Sequence, residues 1–285
     1  MLTDTHAHLD FPDFAADLDA VLARAEAAGV HRLITIGTSV EGSECAIALA
    51  EKYPQVFAVI GVHPNSASEA PEDIITPLRR LAQHPKVVAI GECGLDYYRL
   101  PSSQMHEAAV ATVALGNETS VDLDAALTDG AEKERQAVVF AQQLDLAVEL
   151  GLNVVIHERE AWDDTVSMLE PYRGRVRGVF HCFGKSPGHA QQILAQGHLV
   201  SFTGIVTFKN AGPVKETVAA IPAGHYMVET DCPFLAPVPH RGKRCEPTHV
   251  RTTAEAVAAM RGLTLEALAA ETEATANAFF RFTRL

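Results

Sequence analysis

Short apolar runs rich in β-branched residues alternate with longer stretches of helical spacing along the chain. The runs fall at 2–5, 32–36, 57–60, 87–90, 153–156, 176–180, 199–202 and 226–229, lengths that suit buried strands. Between them, apolar residues recur three and four apart over 15–28, 42–52, 72–83, 132–150, 160–169, 187–196, 213–220 and 247–260, with a last such stretch at 264–281. Strand then helix, eight times over, predicts an α/β fold, a closed (β/α)8 TIM barrel. An open doubly wound sheet has the same alternation, but no glycine fingerprint follows the first run. The 285 residues suit a barrel of roughly 250 residues with additions, so 1–285 reads as a single domain.

One interval breaks the rhythm. The chain from about 102 to 135, after the fourth strand, is far longer than an ordinary βα connection. It carries acids at 107, 118, 122, 124, 129, 132 and 134 against only Lys133 and Arg135, and reads as an inserted acidic loop with a helix over 105–115.

Composition narrows the classes. With 47% hydrophobic and 21% charged residues the chain has the balance of a globular protein, which excludes disorder and coiled coil. A formal charge of −13 excludes indiscriminate coating of nucleic acid, so a phosphate-rich substrate would need a local source of positive charge. No apolar run approaches the ~18 residues of a membrane span, and the first residues lack the pattern of an export signal. Five cysteines, odd in number and without a CxxC pair, fit reduced thiols, and the expected location is cytoplasmic.

Candidate chemistry gathers at the ends of the strands. His6 and His8 close the first run at a two-residue spacing that puts both imidazoles on one face. Glu92 follows the fourth run, His157 the fifth, His181 the sixth and Asp231 the eighth. All strand C-termini of a barrel open on one mouth, where active sites of this fold lie. One such residue alone would be an ordinary boundary residue or helix cap. Four histidines and two carboxylates at one level instead suit one or two divalent cations such as Zn²⁺, Mn²⁺ or Mg²⁺.

Ordered blocks then carry a family resemblance: Asp4-Thr5-His6-Ala7-His8-Leu9, Gly61-Val62-His63-Pro64, Gly91-Glu92-Cys93-Gly94-Leu95-Asp96-Tyr97-Tyr98, Val155-Ile156-His157, Phe180-His181-Cys182-Phe183-Gly184, and Glu229-Thr230-Asp231-Cys232-Pro233-Phe234-Leu235-Ala236-Pro237, extended by Pro239-His240-Arg241-Gly242-Lys243-Arg244. The sequence resembles the TatD family of metal-dependent deoxyribonucleases, within the amidohydrolase-like barrel superfamily, over nearly all of the chain outside 102–135. The resemblance implies a two-metal site. His6, His8 and Asp231 would hold one ion, His157 and His181 the other, and Glu92 would bridge them. It also implies Asp231 as the general base beside the attacking water, with Glu92 the second catalytic carboxylate.

Phosphates need donors that carboxylates cannot supply. Candidates are His63 after the third run, Arg159 after His157, Lys209 after the seventh run, and Arg241, Lys243 and Arg244 beyond Asp231. The chain departs from the family pattern at Cys245, where similar proteins carry Asn, and at Glu158-Arg159-Glu160, where they carry Ser-Arg-Asp. Cys93, Cys182 and Cys232 each follow an expected ligand. Strand alternation should turn them toward the helices as small buried groups, and Trp162 is expected to pack on a helix surface. The expected activity is hydrolysis of DNA phosphodiester bonds from an end, on single-stranded or terminal segments, with two divalent ions and no obligate protein partner. A metal-dependent amidohydrolase acting on a small lactone, amide or phosphoester is the alternative, though the basic strip is more than an uncharged substrate requires. A non-catalytic binding protein is a second alternative, but it would not need six intact ligands.

Overall fold

The computed structural model describes residues 1–103 and 123–282, with side chains at 123–126 excepted. Eight strands are found: β1 (Leu2–Ala7), β2 (Val30–Ile36), β3 (Val56–Ile60), β4 (Val87–Asp96), β5 (Asn153–Arg159), β6 (Gly178–Phe180), β7 (Leu199–Phe202) and β8 (Tyr226–Val228). They pair in sequence order, every neighbour parallel. Around them lie α1 (Leu18–Ala27), α2 (Val40–Lys52), α3 (Ile75–Leu81), α4 (Leu123–Leu150), α5 (Trp162–Leu169), α6 (Pro187–Leu194), α7 (Gly212–Ala220), α8 (Val250–Arg261) and α9 (Leu265–Phe280). This is the expected TIM barrel.

The barrel closes at a seam rather than a long ladder. Ala7 bridges Cys232, Asp231 N donates to His6 O at 2.9 Å, and His8 N donates to Cys232 O at 2.8 Å. Just below, Asp4 accepts from the Thr230 amide at 2.9 Å and the Thr230 hydroxyl at 2.7 Å. The first and last strands are therefore joined through the residues that carry the candidate ligands.

Two buried clusters separate by strand alternation. Ile34, Val59, Val155, Val179, Leu199 and Met227 fill the barrel interior, where Phe279 and Phe280 at the end of α9 plug the bottom. Leu33, Ile60, Val154, Ile156, Val200 and Val228 pack outward against the helices. The interior phase continues upward by steps of two, from Val155 to His157, from Val179 to His181, and from Met227 through Glu229 to Asp231. In β4 the register shifts between Ile90 and Cys93, so three residues there span two of β5. Such an irregularity re-aims a side chain, and it is what brings Glu92 into the interior phase.

The expected insertion differs in one respect. Residues 123–135 belong to α4, which begins nine residues before the expected start at 132 and continues unbroken to Leu150. The acidic composition there masks the helical period, because the apolar stripe becomes regular only where the helix meets the barrel at Gln136, Val139 and Phe140. The expected helix over 105–115 lies outside the described residues.

Candidate metal centre

Glu92 sits at the middle of the mouth, 2% exposed. Its Oε2 lies 3.3 Å from His6 Nε2 and 3.8 Å from His8 Nε2. Its Oε1 lies 2.6 Å from His181 Nε2, 2.7 Å from His157 Nδ1 and 3.4 Å from His63 Nε2. Asp231 presents Oδ1 at 3.4 Å from His8 Nε2 and 3.7 Å from His6 Nε2. One carboxylate thus turns one oxygen to each of two groups of imidazoles.

Local backbone explains how these side chains are aimed. Gly91 (φ +131°) precedes Glu92, and a Cβ there would stand 2.4 Å from the Val155 carbonyl. At Gly94 (φ +147°) a Cβ would fall 1.9 Å from the His157 carbonyl. Only glycine lets β4 lie this close to β5 beside Glu92 and His157. Asp231 itself is left-handed, φ 61°, a conformation that Asp tolerates better than most residues and that occurs at functional sites.

The charges are strongly coupled. Burial alone would push the Glu92 carboxyl up, but His181, His63 and His6 hold it well below the usual range. Burial would likewise lower His181, yet Glu92 and Glu229 raise it well above the ordinary imidazole value. His6 is pushed down by burial and by His181, and His63 is pushed down to about 4, again chiefly by burial. Asp231 is held low: burial opposes ionisation, but the His8 hydrogen bond and the His6 charge outweigh it.

A divalent cation fits this donor set. His6 Nδ1 and Nε2 are buried without a hydrogen-bond partner. Ring nitrogens also face one another, His157 Nδ1 at 3.1 Å from His181 Nε2 and 3.2 Å from His63 Nε2. Neutral imidazoles packed around carboxylates leave lone pairs that a cation satisfies. Three groups have ligand atoms within 4.8 Å of one another: His6, His8 and Asp231; His6, Glu92 and His181; His63, Glu92 and His157.

The last group shows what sequence reasoning placed differently. His63, expected at the rim as a phosphate donor, stands against Glu92 and His157. Two further carboxylates were not singled out. Asp96 sets Oδ2 3.3 Å from His157 Nε2 and accepts from Asn65 Nδ2 at 3.2 Å. Glu229 lies 3.6 Å from His181 Nδ1 while accepting from the Cys182 amide at 2.6 Å and the Ser201 hydroxyl at 2.5 Å. Carboxylates of this kind fix the orientation of a histidine. Glu229 could have been found from the sequence, since it shares the inward phase of Asp231 two residues later.

The expected substrate contacts divide. Arg159, Lys209, Arg241 and Lys243 are exposed. Arg159 stacks its guanidinium 3.6 Å above the Tyr98 ring and Arg241 does so 3.8 Å above Phe208. Lys209 and Arg241 line one hollow with Ile205, Phe208, Asn210 and Ala211. Arg244 has its donors engaged within the protein: it bonds both oxygens of Asp17 at 2.8 Å, Glu246 at 2.8 Å and the Asp13 carbonyl at 2.6 Å. The nearby acids take up its donors and make it a clamp between two loops. Cys93 and Cys232 are buried in the helix-facing layer as expected, whereas Cys182, left-handed at φ 49°, is half-buried with Sγ 3.5 Å from the Thr203 hydroxyl. Trp162 opens α5, donates to Gln192 at 3.0 Å and packs near Phe180 and His189.

Known proteins resemble this chain along nearly its whole length. The family model described as TatD related DNase matches residues 3–281. An uncharacterised metal-dependent hydrolase of Bacillus subtilis, YabD, is 37% identical over 99% of both chains. The protein named 3'-5' ssDNA/RNA exonuclease TatD in Enterobacter lignolyticus is 34% identical, over 97% of this chain and 98% of its own. The crystal structure of YjjV, a TatD homologue from Escherichia coli, superposes with a TM-score of 0.82 at 26% identity, covering 98% of each chain. Barrel, mouth and match together place this chain in the TatD family of metal-dependent hydrolases.

Proposed function

We propose that the chain is a nuclease that hydrolyses phosphodiester bonds of DNA from an end, using two divalent ions, Mg²⁺, Mn²⁺ or Zn²⁺. One observation carries the reading: Glu92 turns Oε2 toward His6 and His8 and Oε1 toward His157 and His181, as a carboxylate shared between two cations should. On this reading His6, His8 and Asp231 hold one ion, and His157 and His181 hold the other, with His63 close enough to assist. Bound divalent ions supply Lewis acidity, activating water and neutralising charge on the phosphate.

The side chains do the rest. Asp231, beside His8 and His6, would accept the proton of the attacking water as general base. Asp96 and Glu229 keep the His157 and His181 rings oriented. Arg159, Lys209, Arg241 and Lys243 receive substrate phosphates. The names of relatives as single-strand DNA and RNA exonucleases support the substrate class. The reading takes 1–285 as one barrel domain. It also takes the protein to be cytoplasmic, supported by five unpaired cysteines and by the absence, among the described residues, of any helix long and apolar enough to cross a membrane.

The test is chelation and reconstitution on end-labelled single-stranded DNA. Cleavage should vanish in chelator and return with Mg²⁺, Mn²⁺ or Zn²⁺, and activity that survives exhaustive chelation would overturn the metal mechanism. Elemental analysis should find Glu92→Ala depleted of both ions and His8→Ala mainly of one. Equal losses would remove the bridging role.

A further inference from the structure

Among the described residues only two aromatic side chains count as exposed, Tyr98 at 39% and Phe234 at 51%. Both stand just beyond strand ends at the mouth, after β4 and after β8. An isolated surface phenylalanine has no special meaning. Phe234 is distinguished by its mounting and its neighbours.

Its amide donates to the Asp231 carbonyl at 2.9 Å, so the turn that carries the ring also carries Asp231. The following chain is pinned. Leu235 is left-handed at φ 55°, prolines stand at 233, 237 and 239, and the Val238 amide donates to the Thr207 hydroxyl at 2.9 Å. The segment also presses on Gly204, where a Cβ would meet Leu235 O at 2.4 Å and Pro237 N at 2.9 Å. A turn held at so many points keeps the ring in the open.

The ring faces the metal centre side-on. Its centroid lies 6.3 Å from that of His8 and 5.9 Å from that of Phe11, in edge contact with each. Phe11 in turn stacks on His8 at 4.7 Å. Phe11 thus fixes both the imidazole and the edge of Phe234, leaving Phe234 with an apolar surface beside the place where a phosphate would bind. Arg241 and Lys243, a few residues on, are exposed cations. A rigid aromatic face beside a candidate metal centre, followed within a few residues by exposed cations, matches the way proteins hold unpaired nucleic acid, stacking bases without reading their sequence.

We propose that Phe234 is the stacking platform for the unpaired nucleobase adjoining the phosphate at the metal centre, with Phe11 as its support. The inference rests on the nuclease reading and adds a cause for substrate form. A base inside a duplex keeps its faces stacked on its neighbours, so only a single strand or a frayed end can offer one to Phe234. Sequence preference should be weak, since every base has an aromatic face.

The test compares two single-stranded oligonucleotides with the same phosphates, one carrying all its bases and the other abasic over its terminal stretch. Phe234→Ala should raise KM on the full strand roughly tenfold relative to the abasic one, with kcat little changed, and Phe234→Trp should restore the wild-type ratio. An equal rise on both strands, or none on either, overturns the platform. Should wild-type protein cleave neither strand, the nuclease reading fails separately. The platform is then judged on metal-stripped protein by the fluorescence of 2-aminopurine at the oligonucleotide end. Quenching that is lost in Phe234→Ala upholds it, and absent or unchanged quenching overturns it.

Discussion

Asp4 is fully buried on the strand that carries His6 and His8, and burial pushes its carboxyl up to about 8 although Thr230 donates to it twice. A carboxyl raised in the folded state takes up protons that the unfolded chain has already released. Its contribution is therefore most favourable below about pH 4 and is lost as pH rises toward 8. Urea unfolding of chelated protein at pH 5 and pH 8.5 should show a smaller stability loss across that interval in Asp4→Asn, which keeps the shape and can still accept from Thr230. An unchanged interval would mean that Asp4 titrates normally. Asp4 also marks the limit of what the sequence discloses. The gathering of the six candidate ligands at one mouth was legible because strand phase and fold topology alone bring strand ends together. Asp4 acts through Thr230, more than two hundred residues away, and Asp96 through His157 on the next strand, and no local spacing encodes either partner, whereas Glu229 shares the phase of Asp231 and was open to the same reading. The pairing of Arg244 was hidden for the same reason, since Asp17 meets it only in the folded chain.

At the scale of elements, β4 is the most constrained strand. It runs the full length from Val87 to Asp96 buried throughout, changes register, and lies against β5 with no room for a side chain at Gly94. Gly94→Ala should cost about 2–3 kcal/mol or more in urea unfolding, because the clash is with backbone and the φ is positive. It should also weaken metal binding by moving His157. A variant as stable as wild type would show that β4 can shift without loss. The order and kind of elements could be read from the alternation of apolar runs. The register change could not, because a strand that slips phase by one residue looks, in a buried apolar run, like one that does not. The start of α4 was hidden by charge in the same way.

For the whole molecule, the proposed function sets a formal charge of −13 against a polyanionic substrate. On that reading the exposed cations Arg159, Lys209, Arg241 and Lys243, with no broad basic face in the sequence, would restrict contact to a few phosphates. Binding to single strands should then weaken only gently with salt. About three phosphates at ~0.7 each give a log–log slope near −2, and a slope several times steeper would mean contacts along the barrel wall. The seam where β8 meets β1 has a consequence of another kind. His6 and His8 are synthesised more than two hundred residues before Asp231 and before the hydrogen bonds between His6 and Asp231 and between His8 and Cys232 that close the barrel. Contacts of such separation form late. A nascent chain that has passed His6 and His8 therefore holds an open, unfinished mouth until β8 is made, and hydrolysis there must wait until that strand has docked on β1.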